Sequence, residues 1–414
     1  MLLGQNLRYY RKEAGFTQEQ LAEGICHGTY ISKIENGSIS APIETLSDLC
    51  RKLGITMEQL TQKIDGEKWL LLNNWLKEIS EKRGDDKQYN HLVSVFRRVE
   101  DPFLLSFYHI ILLRYFILIK DRKNVEVAAH KVKNYENYVT LETEYEYMFS
   151  LGLYEYHFGS LHTSHTYYAQ AERIIEGKGI KKPELFYYMA LTLSRLKKIS
   201  LSTIYAYSAL DIYNREMNFG MSTNCNLVLG INFNLMAEYD KAEEFFHLII
   251  NASGSNDMAE LTKGRAYHNL GNIYSKQEQS GKAIDMLCKS LQFKKDINTK
   301  TNTIYLLAKV YFAIGEVEKG KEWLSKGMDL VKKTNDSDFQ LKFSILHYQG
   351  MNEINSPQYH DLLKQAISHF KDTAFSFSCE CAELLADIRA KEFHYKEAYE
   401  YLQLASNLMK SDRN

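Results

Sequence analysis

Hydrophobic residues recur every three to four positions along almost the whole chain, which is the spacing of one face of an α-helix. Near the start, Gly15, Gly24 and Asn36-Gly37 break this pattern into short helices. Beyond residue 68 the helical pattern continues almost without interruption to Met409. With 4 prolines in 414 residues, few chain breakers interrupt it. The sequence predicts an all-α protein that is too long for one small core.

Residues 1–64 predict a set of short helices with a tight turn between the second and the third. Thr17 can cap the second helix, and Gln20 three residues later completes a capping box. Ile31 and Ile34 form the buried edge of a third helix over about 28–35. Helices joined in this way are typical of a helix-turn-helix. We therefore expect a DNA-binding domain over 1–64.

The residues here are more specific than the pattern. The runs TQEQLA (17–22) and YISKIENG (30–37), followed by Pro42, Leu46 and Leu49, resemble the Cro/phage-repressor (XRE) helix-turn-helix family. In that family the third helix enters the major groove. The resemblance implies that double-stranded operator DNA is a partner, contacted by these residues: Arg11, Thr17, Gln18, His27, Thr29, Tyr30 and Lys33.

Other interpretations of these residues stay open at this point. Tyr30 could be a packing residue, Lys33 could belong to a solvated face, and Arg11 could be only a surface charge. Glu35 is expected to hold the fold rather than read a base. Residues 1–64 contain seven Lys/Arg and seven Asp/Glu, so this domain is neutral, which argues against strong non-specific DNA affinity for a monomer.

After a short polar linker at 65–68, seven segments of residues 69–414 fit one template. A small residue is followed by another small residue twelve positions later, a large apolar residue four beyond, and a small one three further on. This pattern resembles the tetratricopeptide repeat and implies a right-handed α-solenoid. The first template positions are Gly152, Ala190, Gly230, Gly271, Ala308, His347 and Ala386.

Stacked helical pairs of this kind form a concave groove, which the first helix of each pair lines. Asparagine amides in the groove can bond both the N–H and the C=O groups of a peptide. Arg265 or Lys309 could take a carboxylate. The alternative is that each residue is an ordinary polar groove residue. The predicted peptide contacts are Tyr187, Arg195, Asn224, Leu227, Ile231, Asn234, Arg265, His268, Asn272, Asn302, Tyr305 and Lys309.

A phage-repressor-type domain followed by a tetratricopeptide array resembles the RRNPP group of peptide-pheromone receptors of Gram-positive bacteria, in particular its NprR-like and PlcR-like members. The resemblance implies a quorum-sensing transcriptional regulator that binds a short signalling oligopeptide and forms a homodimer or higher homo-oligomer. The alternative is a Rap-like interaction module that binds a response regulator or another protein partner, through a surface in residues 69–140.

Bulk properties exclude several other classes. The formal net charge is −1, so the chain as a whole is not basic, and any DNA contact must be local. The 6 cysteines lack metal-ligand spacing and are expected to be reduced thiols. No catalytic or nucleotide-binding motif is present, so we expect a non-enzyme without cofactor or metal. The N-terminus is unlike a signal peptide, and we expect a cytoplasmic protein without a membrane partner.

Overall fold

A computed structural model of the protein describes residues 2–61, 65–81, 85–99, 101–252, 257–371 and 373–411. Of Leu2, Asp257, Met258, Asn298, Lys410 and Ser411 it describes the backbone alone. Every regular element in these ranges is helical, which confirms the predicted all-α class and the solenoid. The chain forms two compact units, Met1–Tyr188 and Met189–Asn414.

The first unit begins with five short helices. Their bounds are α1 Leu2–Glu13, α2 Gln18–Ala22, α3 Gly28–Glu35, α4 Ile43–Leu53 and α5 Met57–Thr61. The predicted capping box at Thr17 and Gln20 is present. It fixes the start of α2, a helix of 5 residues that is too short to be stable without packing. The core beneath these helices consists of Leu7, Leu21, Ile31, Leu49 and Leu60 with their neighbours.

Two glycines allow these helices to approach closely. A Cβ on Gly4 would stand 2.1 Å from the carbonyl oxygen of Ile34, so α1 passes directly over the end of α3. A Cβ on Gly28 would stand 3.0 Å from Cγ of Glu19 on α2. The turn between α2 and α3 is therefore set by glycine at the first residue of α3.

Four longer helices follow in the first unit: α6 Gly66–Ser80, α7 Asp86–Phe96, α8 Pro102–Leu118 and α9 Arg122–Asn134. Each begins after an aspartate whose carboxylate accepts N–H groups of the first turn, and these are Asp65, Asp85, Asp101 and Asp121. Residues 66–68 of the predicted linker thus form the first turn of α6, and residues 62–64 lie outside the described ranges. The division of the chain at 64–69 stays a prediction.

Seven helical pairs make up the rest of the described chain. They are α10 Glu144–Phe158 with α11 Leu161–Glu176, α12 Pro183–Arg195 with α13 Ile199–Arg215, α14 Phe219–Leu235 with α15 Tyr239–Asn251, α16 Asp257–Lys276 with α17 Ser280–Phe293, α18 Ile297–Ala313 with α19 Val317–Thr334, α20 Ser337–Gly350 with α21 Pro357–Phe370, and α22 Phe375–Lys391 with α23 Tyr395–Ser411.

The repeat template is visible in the packing of these pairs. A Cβ on Gly230 would stand 2.6 Å from the ring of Phe246, and a Cβ on Gly271 would stand 2.6 Å from Leu287. These are the small and the large apolar positions of the template, sixteen residues apart. The pattern does not hold at His347, which is exposed. Phe343, Ile345 and Leu346 of α20 turn inward instead.

The turn inside most pairs contains a residue in the left-handed conformation. After α14, Ala237 has φ 59°, its N–H bonds the carbonyl of Asn234, and the N–H of Glu238 bonds the carbonyl of Phe233. This is the Schellman arrangement, which normally favours glycine. Residues with the same conformation in corresponding turns are Lys120, Lys197, Glu278, Gly315, Asn352 and Phe393.

Candidate functional site

The outward face of α3 carries three exposed residues of the predicted DNA contacts. His27, Thr29 and Lys33 are exposed, whereas Ile31 and Ile34 on the opposite side are buried. Nδ1 of His27, the residue that precedes α3, lies 3.2 Å from Oγ1 of Thr29. The beginning of α3 therefore presents an imidazole and a hydroxyl together, with an ammonium one turn further on. These groups can donate to phosphate or to base edges.

The other predicted DNA contacts are placed differently. Thr17 is exposed, but its hydroxyl accepts the backbone N–H of Gln20 in the capping box. Tyr30 is half-buried and packs against the domain core, which agrees with its alternative interpretation as a packing residue. Gln18 donates its amide to Oε2 of Glu35 at 2.8 Å. Of these, the Thr17 side chain is the most accessible.

The position of Arg11 differs from the sequence prediction that it contacts DNA. Its side chain is buried, and Nε and Nη2 donate to the two carboxylate oxygens of Glu35 at 2.6 and 3.0 Å. Nη1 donates to the carbonyl of Phe16 at 2.7 Å. All three guanidinium nitrogens are thus occupied inside the domain. A phosphate contact by Arg11 does not fit this arrangement, because its guanidinium nitrogens already have partners inside the domain. The sequence alone could not show that Glu35 lies within reach of Arg11.

Helix α1 also packs against later helices of the same unit. The ring of Tyr9 lies 5.1 Å from the ring of Phe103 on α8 and 4.7 Å from that of Tyr138. The hydroxyls of Tyr9 and Tyr138 are 3.2 Å apart. Burial raises the pKa of Tyr9 and Tyr10. The helix-turn-helix is therefore held by aromatic packing to the residues that follow it.

Within the second unit, the predicted peptide contacts lie on α12, α14, α16 and α18. Asn224, Ile231 and Asn272 are half-buried, and Asn272 makes no hydrogen bond to a described residue. Leu227 and Asn234 are 7% exposed each, so α14 offers little of them to a ligand, which weighs against both predicted contacts. The amide oxygen of Asn234 lies 3.4 Å from Nζ of Lys276.

The remaining predicted contacts have different partners. Tyr187, in the first unit, is half-buried, and Arg195 is exposed. Lys309 is exposed and forms an ion pair with Glu380, with Nζ 3.1 Å from Oε1. Tyr305 is half-buried among the rings of Phe339 and Phe343. Lys309 thus already has an anionic partner inside the protein.

A polar cluster joins α16 to α18 and contains a residue that the sequence analysis missed. Nδ1 of His268 lies 3.1 Å from Oγ1 of Thr303, and Nε2 lies 3.2 Å from Nδ2 of Asn302. Lys294, directly after α17, donates from Nζ to the same Thr303 oxygen at 2.6 Å. Exposed Arg265 lies close to this cluster on α16. No sequence signal distinguishes Lys294 from the next residue, Lys295.

Burial dominates the electrostatics of this cluster. Burial, together with a smaller effect of the charge of Arg265, lowers the pKa of Lys294 to about 8. It lowers the pKa of His268 to about 3, with a smaller effect from Lys294 in the same direction. His268 is therefore neutral at pH 7, while Lys294 remains a cation.

The described residues contain no group of three or more His, Cys, Asp or Glu side chains placed to hold a metal ion. All six cysteines are free thiols. None of the helices in the described ranges combines the length and the apolar character needed to cross a bilayer.

Two family models match parts of the chain: a helix-turn-helix model at residues 7–60 and a tetratricopeptide-repeat model at residues 264–297. The transcriptional activator NprA of Geobacillus stearothermophilus is 28% identical over 417 residues, which cover 94% of this chain and 99% of NprA. The response regulator aspartate phosphatase E of Bacillus subtilis (strain 168) is 26% identical over 278 residues, 63% of this chain and 72% of the relative.

Solved structures have the same fold. The apo form of the quorum sensor NprR from B. thuringiensis superposes with a TM-score of 0.73 at 21% identity, over 84% of this chain and 100% of NprR. NprR in complex with its cognate peptide NprX gives a TM-score of 0.69 at 21% identity, again over 84% of this chain and 100% of that one.

The fold and the exposed face of α3 define a helix-turn-helix protein with a tetratricopeptide array. The similarity to NprA over almost the full length of both chains, and the fold shared with NprR, agree with the resemblance to the RRNPP group that the sequence pattern indicated.

Proposed function

We propose that this protein is a transcriptional regulator that binds operator DNA through α3 and is controlled by a short peptide bound along α14, α16 and α18. The observation that carries the proposal is the exposed face of α3, where His27, Thr29 and Lys33 stand free of the domain core. The similarity to NprA over almost the full length of both chains supports this function.

A single copy of this domain reads only a few base pairs. Its equal numbers of acidic and basic residues in 1–64 give little general attraction to phosphate. Two copies on one DNA molecule would raise affinity by avidity without new contacts. We therefore propose that the regulator acts as a homodimer or higher homo-oligomer.

The peptide half of the proposal rests on the polar side chains of the second unit. Asn272 on α16 is half-buried with its amide unpaired among described residues, and Asn302 on α18 is exposed and contacts His268 of α16. Such amides can satisfy both backbone groups of an extended peptide. A peptide that binds one conformation of the array better shifts the population toward it and so alters DNA binding.

The test is a gel-shift titration at fixed salt against the DNA upstream of the protein's own gene. It is run with and without synthetic peptides from the C-terminus of the small reading frame beside that gene. We expect a retarded complex whose midpoint moves with one peptide. Specific retardation that ignores every peptide would contradict the peptide half of the proposal.

Variants separate the two halves of the proposal. Thr29→Ala and Lys33→Ala should each weaken operator binding about tenfold or more, because each removes a group that can contact DNA, and should keep peptide binding. Asn272→Ala should weaken the peptide response and leave the DNA affinity of the free protein unchanged. Lys77→Ala, which removes an exposed charge from α6, is the control and should change neither.

A protein partner is the second candidate for the array. It is favoured by the 26% identity to response regulator aspartate phosphatase E over residues that cover 63% of this chain. If this candidate is right, a purified response regulator should co-elute with the protein in size-exclusion chromatography. The peptide should then alter that co-elution, while the gel shift stays insensitive to it.

A further inference from the structure

Lys294 carries a buried positive charge without an anionic partner. Its relative exposure is 5%, and among the described residues its ammonium contacts one acceptor, the Thr303 hydroxyl at 2.6 Å. An ammonium group has three N–H donors, so two remain without a partner. Burial of an incompletely paired charge costs free energy that the free protein does not recover.

Neighbouring groups do not supply the missing acceptors. Among the described residues, the Ser290 hydroxyl donates to the Gly264 carbonyl at 2.7 Å and forms no hydrogen bond with the ammonium of Lys294. Gly264 leaves room for the lysine side chain, since a Cβ there would stand 3.2 Å from Cγ of Lys294. The stem of Lys294 therefore packs against α16, and its ammonium lies at the Thr303 hydroxyl.

A second cation lies close to the first. Arg265 on α16 is exposed, has no ion pair with a described residue, and is near enough to disfavour the charge on Lys294. Asn302 on α18 is also exposed and contacts His268 at 3.2 Å. The cluster therefore reaches the surface between Arg265 and Asn302, on helices that we assign to the peptide groove.

Two other lysines of the second unit have carboxylate partners. Lys309 pairs with Glu380 at 3.1 Å, and Lys295, next to Lys294, pairs with Glu260 at 3.1 Å. The protein thus provides carboxylates to these two lysines, whereas neither Lys294 nor Arg265 pairs with a carboxylate among the described residues. Two adjacent cations, one of them buried, are electrostatically suited to an added anion.

We infer that Lys294 and Arg265, with Asn302 at the entrance, form a subsite for a carboxylate of the bound peptide. The carboxylate would accept hydrogen bonds from the ammonium and the guanidinium, with the Asn302 amide as a further donor. It can be the C-terminal carboxylate of the peptide or an Asp or Glu side chain. This inference rests on the proposed function, because it assumes that the groove holds a peptide.

The experiment uses four pools of random heptapeptides, with free or amidated C-termini and with or without Asp and Glu. Full-length protein is incubated with each pool, and retained peptides are counted by mass spectrometry after gel filtration. We expect the neutral, amidated pool to be retained about tenfold less than the pool that supplies the preferred carboxylate. A difference between the free-acid and amidated pools identifies the C-terminus, and a difference caused by Asp and Glu identifies a side chain.

Two variants locate the effect. Lys294→Met keeps a chain of similar length without the charge, and should abolish the preference for carboxylates while raising the melting temperature of the free protein. Arg265→Gln changes an exposed residue, should fold normally, and should reduce the same preference. Lys289→Met on α17 is the control, because Lys289 is half-buried and paired with Asp285, and it should change neither property.

The outcomes are distinct. Equal retention of all four pools by the wild type would overturn the carboxylate subsite and leave the peptide proposal standing. An undiminished carboxylate preference in both Lys294→Met and Arg265→Gln would also overturn it. If the wild type retains no peptide from any pool, the proposed peptide function fails and the subsite fails with it.

Discussion

The two units differ in the partners that they provide for buried cationic side chains. In the first unit, Arg11 is bonded to both oxygens of Glu35, and Arg114 on α8 bonds Glu146 at 2.6 Å and Glu184 at 2.8 Å. In the second unit, Lys294 is equally buried, and among the described residues its ammonium bonds only a neutral hydroxyl. A buried charge that has carboxylate partners holds helices together, whereas one left without a carboxylate keeps its binding capacity for another group.

Residue type contributes to this difference. The guanidinium is planar and always charged, and it can bond several acceptors at once. Arg114 uses that geometry to join α6, α8, α10 and α12, since Nη2 also contacts the Ser80 hydroxyl at 3.1 Å. Lysine offers a compact charge whose pKa burial can lower, so its charge can respond to a ligand.

The largest expected effect is for Arg114→Met. Loss of the guanidinium leaves Glu146 and Glu184 facing each other across a buried site, and removal of one member of such a group costs about 3–5 kcal/mol. Urea denaturation followed by circular dichroism should show this loss. Arg122→Met removes an exposed arginine of α9, whose pairing with Glu126 is loose at 3.7 Å, and should stay within about 0.5 kcal/mol of the wild type.

Arg11→Met should have a somewhat smaller effect, about 3 kcal/mol, because Gln18 still donates to the buried Glu35 carboxylate. The loss should be concentrated in the helix-turn-helix. Hydrogen–deuterium exchange should show faster exchange in α1 and α3, with little change in α16 to α18. Unchanged exchange in α3 would mean that the Arg11–Glu35 pair does not stabilise this domain.

Replacement of Lys294 by Met should change the stability in the opposite direction to the arginine variants, and the size of the change should depend on pH. The pKa of Lys294 is about 8 in the folded protein and 10.5 in the unfolded chain. Between pH 8 and 10.5, Lys294 is largely neutral in the folded protein but still protonated in the unfolded chain. The stability of the wild type relative to Lys294→Met should therefore increase as the pH rises from 8 to 10.5. The gain should be on the order of 2 kcal/mol, and below pH 8 it should be absent.

The control for this titration lies in the groups around Lys294. Among the described residues, Arg265 and His268 of α16 face it, and Thr303 of α18 does not titrate. His268, with a pKa of about 3, is already neutral over this range. Chemical denaturation at several pH values measures the difference. A flat difference between pH 8 and 10.5 would contradict the buried charge.

Tyr9→Phe should have the smallest effect. It removes the hydroxyl contact with Tyr138 but keeps the ring packing against Phe103, so we expect a loss of about 0.5–1 kcal/mol. Urea denaturation measures it against the wild type. A much larger loss would mean that this neutral contact matters as much as the charged pairs do.

The sequence predicted the elements and much of the packing, because those depend on local rules. Thr17 and Gln20 lie three apart, and this spacing alone defines the capping box that the structure contains. Gly230 and Phe246 could be paired because the repeat places a small residue opposite a large one. The repeat template was wrong at His347 because this weak copy of the repeat was aligned by its spacing and not by its apolar residues.

The polar site could be predicted only in part. The exposure of Thr29 and Lys33 follows from the helical period, once Ile31 and Ile34 are known to be buried. The pairing of Arg11 with Glu35 depends on how α1 crosses α3, which no local rule gives. Lys294 was missed because it lies after the second helix of its pair, while the groove was predicted from first helices.

The left-handed turn residues have a consequence for engineering of this protein. Lysine, alanine, glutamate and phenylalanine occupy positions at Lys120, Lys197, Ala237, Glu278 and Phe393 that glycine or asparagine would adopt at lower cost. At each such site the left-handed conformation costs about 1 kcal/mol of folding stability. The gain from a glycine is smaller than this, because glycine has more conformational freedom in the unfolded chain. These turns lie in separate repeats, so their contributions should add. Substitutions at these turns could therefore raise the thermal stability of the array stepwise, without changing the side chains predicted to contact a ligand.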